Sequence, residues 1–450
     1  MKDDNFLKEN NAKHLWHPMG HPADALLKPP KIIVSAKGSL IKDIDGQEVI
    51  DAVGGLWCAN LGYSNDKIKE AITKQLYKLP YYSSFAGSTN PAAIESSVAV
   101  TDMFSEDGMS RVFFTSGGSD SVETTLRLAR QYHKIRGESS RTKFVSLKKG
   151  YHGTHFGGAS VNGNSRFRIS YEPLLSGCFH LPSPYTYRNP YNETNPRTLA
   201  QNIANAFEDE ISFQGAETIA AFIMEPIQGA GGVIIPDSSF MALMREICDR
   251  HGILMISDEV ITGFGRIGEW SGARHWGVKP DMMSMAKGIT SAYFPVGAAL
   301  ISEKVTDVFE NDTKGEGSIY HGYTYSAHPV GAAAVVACLS ETLRLDTKTN
   351  AKERGLQLYK GLKKLEKKHD IVGDVRGGEG LMLALEIVSD RNDKTPMDNE
   401  KMKRIHSTIY EAGTMVRLGA NNILLSPPLI ISQEEANRLL DALDFGLSSI

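Results

Sequence analysis

Cysteine is scarce: Cys58, Cys178, Cys248 and Cys338 are the four in 450 residues, and no two stand at a paired spacing. That argues against a disulfide framework and against a cysteine-built zinc site. The expectation that follows is a reducing, cytoplasmic setting with no metal centre. Long apolar runs are absent too. None approaches the ~18 residues that a membrane span needs, and the polar, acidic start Met1-Lys2-Asp3-Asp4-Asn5 leads into no signal-peptide core. The longest small-apolar stretch, 331–339, reads as a buried helix. Charge of one sign is lacking: 49 Lys and Arg against 53 Asp and Glu leave a net charge of −4, which gives no general basic field for nucleic acid. The small-residue turn Ser116-Gly117-Gly118-Ser119-Asp120 between a strand and a helix is not a Gly-x-Gly-x-x-Gly fingerprint, which argues against a dinucleotide-dependent dehydrogenase. No internal repeat and no low-complexity tract stands out. What remains is a composition, 41% hydrophobic and 23% charged, that is ordinary for a soluble globular chain, with length enough for more than one domain.

The chain divides by pattern. Residues 1–30 are polar with aromatic and proline punctuation (Trp16, His17, Pro18, Pro22, Pro29, Pro30) and read as an irregular arm over a surface. Short strands follow at 32–34, 39–44 and 48–51, with a hairpin turn at Asp45-Gly46. From about 65 to 330 helical periods (66–76, 92–104, 121–136, 198–210, 239–251) alternate with strand-like runs (111–115, 143–147, 219–224, 253–257, 282–285, 297–301). That alternation argues for a mostly parallel α/β sheet. The Pro-, Tyr- and Asn-rich stretch 182–196 reads as irregular. Beyond 335 a polar helix at 351–368, a strand at 380–387, a charged loop at 389–399 and two more helices, the last at 433–447, suggest a smaller α+β unit. The expected division is an N-terminal arm and strands at 1–64 packing with the small domain, a large domain at 65–334 and a small domain at 335–450.

Five constellations carry chemistry. The strand Met282-Met283-Ser284-Met285 runs into Ala286-Lys287-Gly288, and one crossover unit earlier Ile253-Leu254-Met255-Ile256-Ser257 runs into Asp258-Glu259-Val260. If these strands are parallel neighbours, their carboxyl ends put an amine and a carboxylate into one crevice, where open α/β sheets bind ligands. A lysine for a Schiff base and an acid for a pyridinium nitrogen are what pyridoxal phosphate requires of a protein. An N-cap pair alone would not call for two acids after a buried strand. Strand Val112-Phe113-Phe114-Thr115, turn Ser116-Gly117-Gly118-Ser119-Asp120 and a following helix form an anion cradle; a tight turn capped by Ser119 or Asp120 would also explain those residues. Tyr151, in Lys149-Gly150-Tyr151-His152-Gly153, could stack on a planar cofactor, although taken alone it reads as a turn aromatic over the core. Arg417 closes Gly413-Thr414-Met415-Val416-Arg417; a guanidinium there can clamp a carboxylate, while the residues alone favour a surface salt bridge.

Taken together these stretches resemble the class III (omega) aminotransferases, pyridoxal-phosphate enzymes of fold type I, from about residue 15 to the end. The resemblance rests on Gly55-Leu56-Trp57-Cys58, on 115–123, on 149–153, on Glu225-Pro226-Ile227-Gln228-Gly229-Ala230-Gly231-Gly232, on 257–266, on Ala286-Lys287-Gly288 and on His321-Gly322-Tyr323-Thr324-Tyr325. It implies a large domain with a seven-stranded, mostly parallel sheet covered by helices on both faces, and a smaller α+β domain. It implies pyridoxal 5′-phosphate held by Lys287 as the Schiff-base lysine, Asp258 at the ring nitrogen, Gly117, Gly118 and Ser119 at the phosphate, and Tyr151 and Val260 on the two ring faces. Glu225 matches a structural or switching glutamate near the cofactor. Thr324 matches a threonine that reaches the phosphate from a partner subunit, so the resemblance implies a homodimer, or a tetramer, with shared sites. Trp57, Phe85 and Arg417, with Tyr151, match the substrate pocket of the omega-amino acid and amine:pyruvate branch. That branch implies ping-pong transfer of nitrogen from β-alanine, taurine, 4-aminobutyrate, a diamine or an arylalkylamine to pyruvate. An aminomutase, a decarboxylating aminotransferase or a 2-oxoglutarate-using enzyme would use the same scaffold. Two departures stand out: Gly117 replaces a frequent serine, and Ala327 replaces a frequent glycine in Ser326-Ala327-His328-Pro329.

Overall fold

A computed structural model describes residues 3–85 and 87–450. Seven strands build its main sheet: β1 (Met109–Thr115), β2 (Lys143–Leu147), β3 (Cys178–Leu181), β4 (Ile219–Met224), β5 (Leu254–Asp258), β6 (Met282–Met285) and β7 (Gly297–Ser302). Their spatial order is β1-β7-β6-β5-β4-β2-β3. Pairing is parallel from β6 across to β3, and β7 runs antiparallel to both β1 and β6. Six strands therefore point the same way and open their carboxyl ends on one edge of the sheet.

Both faces of this sheet are covered, which is why its strands read as continuous apolar runs rather than alternating ones. Along β6, Met283 and Met285 enter one core with Leu199, Ile203 and Phe207 of helix Pro196–Gln214 and Phe240, Met244 and Ile247 of helix Phe240–His251. Met282 enters the other, against Val122, Leu126 and Ala129 of helix Gly118–Ile135. Each such fully buried side chain contributes about 1.5–3 kcal/mol. A second, antiparallel sheet orders Val372–Gly378, Gly380–Asp390, Asn422–Leu425 and Arg417–Gly419, packed on helices Thr347–Lys368, Asn399–Glu411 and Gln433–Leu447. Strand Glu48–Asp51 pairs in parallel with Thr414–Met415, and Ile50 and Ala52 join the apolar cluster of the second sheet.

Several details differ from the sequence reading. The arm contains two short helices, Asp4–Asn10 and Pro22–Leu27; neither has a buried residue, so no apolar period announced them. Strand β3 is unannounced because its four residues, Cys-Phe-His-Leu, carry little β signal of their own. Helix Gly118–Ile135 starts three residues before the expected 121, which makes Gly118 and Ser119 its first turn rather than the loop before it. The division placed at 334/335 falls inside helix Pro329–Arg344, whose Val335 and Leu339 pack in the main-sheet core. Arg417 opens a strand instead of ending one: Thr414–Met415 belongs to the sheet of Glu48–Asp51, and the chain changes sheets at Val416. Among the described residues no helix is long and apolar enough to cross a membrane, and no group of three or more His, Cys, Asp or Glu is placed to hold a metal ion.

Candidate active site

β5 and β6 are parallel neighbours, with Asp258 in register with Ser284. Three residues beyond Ser284 the chain turns sharply, with Lys287 at φ +48°, a conformation disfavoured for a side chain with a Cβ and typical of functional sites. The turn brings Lys287 to a cavity of about 180 Å³ whose walls also include Gly118, Ser119, Tyr151, His152, Glu225, Asp258 and Val260. These groups come from the carboxyl ends of β1, β2, β4, β5 and β6, so the parallel sheet itself assembles the site.

The groups are held rigidly. Asp258 is buried; its Oδ2 lies 2.7 Å from His152 Nδ1, and its Oδ1 accepts from the Val260 N–H at 3.1 Å. An ionised Asp258 assigns the Nδ1 proton to His152. Glu225 Oε1 accepts from the Tyr151 N–H at 2.9 Å and Oε2 from the Gly229 N–H at 2.8 Å, which ties the loop after β2 to the loop after β4. Burial raises the Glu225 carboxyl to about 7. Burial also lowers the Lys287 ammonium to about 8, against the pull of Cys58, Asp258 and Glu225, and Arg417 adds to the lowering. A lysine near neutrality is the form that can act as a nucleophile and exchange protons. The neighbouring acid, Glu259, is turned away from this chemistry and ties loops together. It accepts from the Gly272 and Ala273 N–H groups at 2.7 and 2.8 Å and from Ser257 Oγ at 2.8 Å.

The helix Gly118–Ile135 enters this cavity with no side chain capping its first turn. Its free N–H groups and dipole therefore face the cavity as an anion site. A Cβ on Gly118 would come 3.0 Å from Val260 Cγ1, so any larger residue would push the Val260 side chain back. Ser119 Oγ accepts from the Thr154 N–H at 3.1 Å, and Ser121 Oγ donates to the Met285 carbonyl at 2.9 Å, which locks the helix start to the end of β6.

Of the residues singled out in the sequence, Lys287, Asp258, Glu225, Tyr151, Val260, Gly118 and Ser119 line one cavity. Gly117 is the N-cap of the helix and stands just outside that lining. Trp57 is buried with Ile227, Val233 and Ile261, and its neighbour Leu56 lines the cavity in its stead. Phe85 lines a different cavity, with Tyr320, His321 and Gly322. Thr324 is exposed, and its carbonyl accepts from Tyr81 Oη at 2.9 Å. Arg417 is half-buried, close enough to Tyr151 and Lys287 to influence both charges, and makes no side-chain hydrogen bond or ion pair among the described residues. The salt bridge that the residues alone favoured does not form. His152, Gly153, Leu56 and Ile261 are lining residues the sequence reading did not assign; His152 had a signal, since it directly follows Tyr151 beyond a buried strand.

Comparison with known proteins agrees with this geometry. The family of class-III aminotransferases matches residues 24–445. An omega-aminotransferase of Caulobacter vibrioides is 36% identical over 96% of this chain and 97% of its own length. A putrescine–pyruvate aminotransferase of Pseudomonas aeruginosa is 35% identical over 92% of this chain and 89% of its own. The solved structure of an amine transaminase from an uncultivated Pseudomonas species, bound to pyridoxal phosphate, superposes with a TM-score of 0.95 at 44% identity, covering 97% of this chain and 98% of that one. The chain belongs to the class III aminotransferases. The cofactor of that family is pyridoxal phosphate, and the residues fit it: an uncapped helix N-terminus for the phosphate, a buried carboxylate braced by an imidazole for a ring nitrogen, and a lysine of lowered pKa for the carbonyl.

Proposed function

We propose that this aminotransferase moves nitrogen from an omega-amino acid or amine to pyruvate by a ping-pong mechanism, as a homodimer with shared sites. Bound pyridoxal phosphate supplies a carbonyl that takes up the amino group and a ring that accepts the electron pair when the substrate C–H bond breaks. The chain supplies the rest. The N–H groups at Gly118 and Ser119 would hold the phosphate end. Asp258, oriented by His152, would hold a proton on the ring nitrogen. Lys287 Nζ would be the base that removes and redelivers the proton of the substrate carbon, which its pKa of about 8 permits. The donor departs as its carbonyl product; pyruvate enters the same pocket and leaves as alanine.

The observation that carries a keto acid as the acceptor is Arg417, a half-buried guanidinium without an acid partner beside Tyr151. It suits a carboxylate close to the reacting carbon. Shared sites are supported by Phe85, which the resemblance assigns to the substrate pocket, and by Thr324, which it assigns to a partner's phosphate: neither lines the Lys287 cavity of its own chain, and Phe85 lines another with the 96% exposed Tyr320. Four free cysteines fit a reducing, cytoplasmic setting. A donor panel tests the reaction: an accepted donor alone bleaches the visible absorbance of the holoenzyme, and pyruvate restores it while alanine forms. Light scattering tests the assembly against the 49.3 kDa of one chain. A monomer that is fully active would end the shared-site reading.

A further inference from the structure

Outside the Lys287 cavity lies a larger one of about 570 Å³, and the two share Gly153. Phe156, Phe167, Tyr171 and Leu174 give the outer cavity an apolar wall, joined by Met19 of the N-terminal arm. Phe167 meets Tyr151, which lines the inner cavity, edge-on at 5.0 Å. The outer cavity thus continues the inner one past the tyrosine ring.

Among the described residues one permanent cation lines this space, Arg166, and the imidazole of His21 lines it too. Its guanidinium makes a single hydrogen bond among the described residues, to the Met19 carbonyl at 3.4 Å, and has no carboxylate within ion-pair distance. Two residues on, Arg168 pairs with Glu172 and with His180, so the lack of a partner is particular to Arg166 and not to the loop. Arg417 is unpartnered as well, and the charge of Arg166 is felt there. Like charges disfavour each other, so an anion bound at Arg166 is favoured by that guanidinium and, at longer range, by the charge of Arg417.

We propose that Arg166 is a second anion subsite, which takes the distal carboxylate of a long omega-amino acid donor whose methylene chain lies along Phe167, Tyr171 and Leu174. This rests on the omega-aminotransferase reading above and deepens it by naming a donor class. Arg417 serves the carboxylate of the short keto acid, near the reacting carbon. Arg166 lines the outer cavity and not the inner one that holds Lys287, so the donor that meets it is one long enough to pass from the inner cavity into the outer. The apolar wall favours methylenes, and the cation at its margin rewards a chain that ends in an anion over one that ends in a methyl group.

The test compares 6-aminohexanoate with hexylamine, the same chain without the carboxylate, at saturating pyruvate in the holoenzyme. The readout is the ratio of kcat/KM for the two donors. In Arg166→Ala that ratio is expected to fall about tenfold, the usual worth of a charge-assisted hydrogen bond. Arg166→Lys, which keeps the charge, is expected to retain most of it, and added salt is expected to lower the wild-type ratio. A ratio that Arg166→Ala leaves unchanged overturns the subsite, and so does a wild-type enzyme that uses hexylamine and rejects 6-aminohexanoate. Failure of the parent reading is distinguishable: wild-type enzyme would then pass nitrogen from neither donor to pyruvate, which removes both.

Discussion

Replacing Glu225 by Gln exchanges one oxygen for an amide nitrogen and separates two effects that the wild-type side chain combines. Both carboxyl oxygens accept backbone N–H groups, from Tyr151 at 2.9 Å and Gly229 at 2.8 Å. Burial raises the Glu225 carboxyl to about 7, with His152 opposing and Asp258 assisting. Between its ordinary value and about 7 the native chain binds more protons than the unfolded one, so stability falls as pH rises through that window. The loss is complete above about 7 and amounts to about 3 kcal/mol. Gln cannot ionise and escapes it. Its amide nitrogen, however, must face one of the two N–H donors, which costs about 1–2 kcal/mol. Glu225→Gln is therefore less stable than wild type near pH ~5 and more stable near pH ~8, and the difference changes sign between them. Urea unfolding of the apoprotein across that range, at one fixed protein concentration, measures it. A difference that does not vary with pH, or a destabilisation that deepens as pH rises, would refute the assignment of a buried, proton-holding carboxyl.

Three further perturbations follow from the same geometry. Arg417→Ala removes an unpartnered guanidinium, so KM for pyruvate should rise about ten- to a hundredfold while an uncharged amine donor is affected far less; equal effects on both would make the residue structural. Gly153→Ala forces a Cβ to 2.7 Å from Ser119 Oγ at φ +102°, so the apoprotein should lose about 1–3 kcal/mol and bind pyridoxal phosphate more weakly in a fluorescence titration. Ala327 sits at φ +53°, so Ala327→Gly should stabilise the chain by up to about 1 kcal/mol, read as a higher urea midpoint.

The centre of the site was legible because its signals are local. Lys287 and Asp258 each end an apolar run, and parallel neighbours in an α/β sheet bring such ends together. The small-residue turn before helix Gly118–Ile135 was legible for a similar reason: strand, glycines and helix lie in one short stretch. What the sequence hid depends on contacts between distant segments. His152 becomes the brace of Asp258 only once β2 and β5 lie on the two sides of β4. Arg417 reads as a surface ion pair until the chain is seen to leave one sheet at Met415 and enter another. The resemblance assigns Trp57 to the pocket, but the kink through Gly55 and Leu56 turns it into the apolar cluster and leaves Leu56 at the cavity. Arg166 gave no signal, because the absence of a partner is a property of the folded loop rather than of the residue.

Lys287 stands at the centre of the proposed chemistry, and the half-reaction tests it directly. Wild-type holoenzyme mixed with an accepted donor alone should lose its visible absorbance, and pyruvate should bring it back with formation of alanine. Lys287→Ala, mixed in the same way, should lose turnover by several orders of magnitude, because the group that moves the proton at the substrate carbon is gone. A Lys287→Ala enzyme that turns over at the wild-type rate would contradict the central claim.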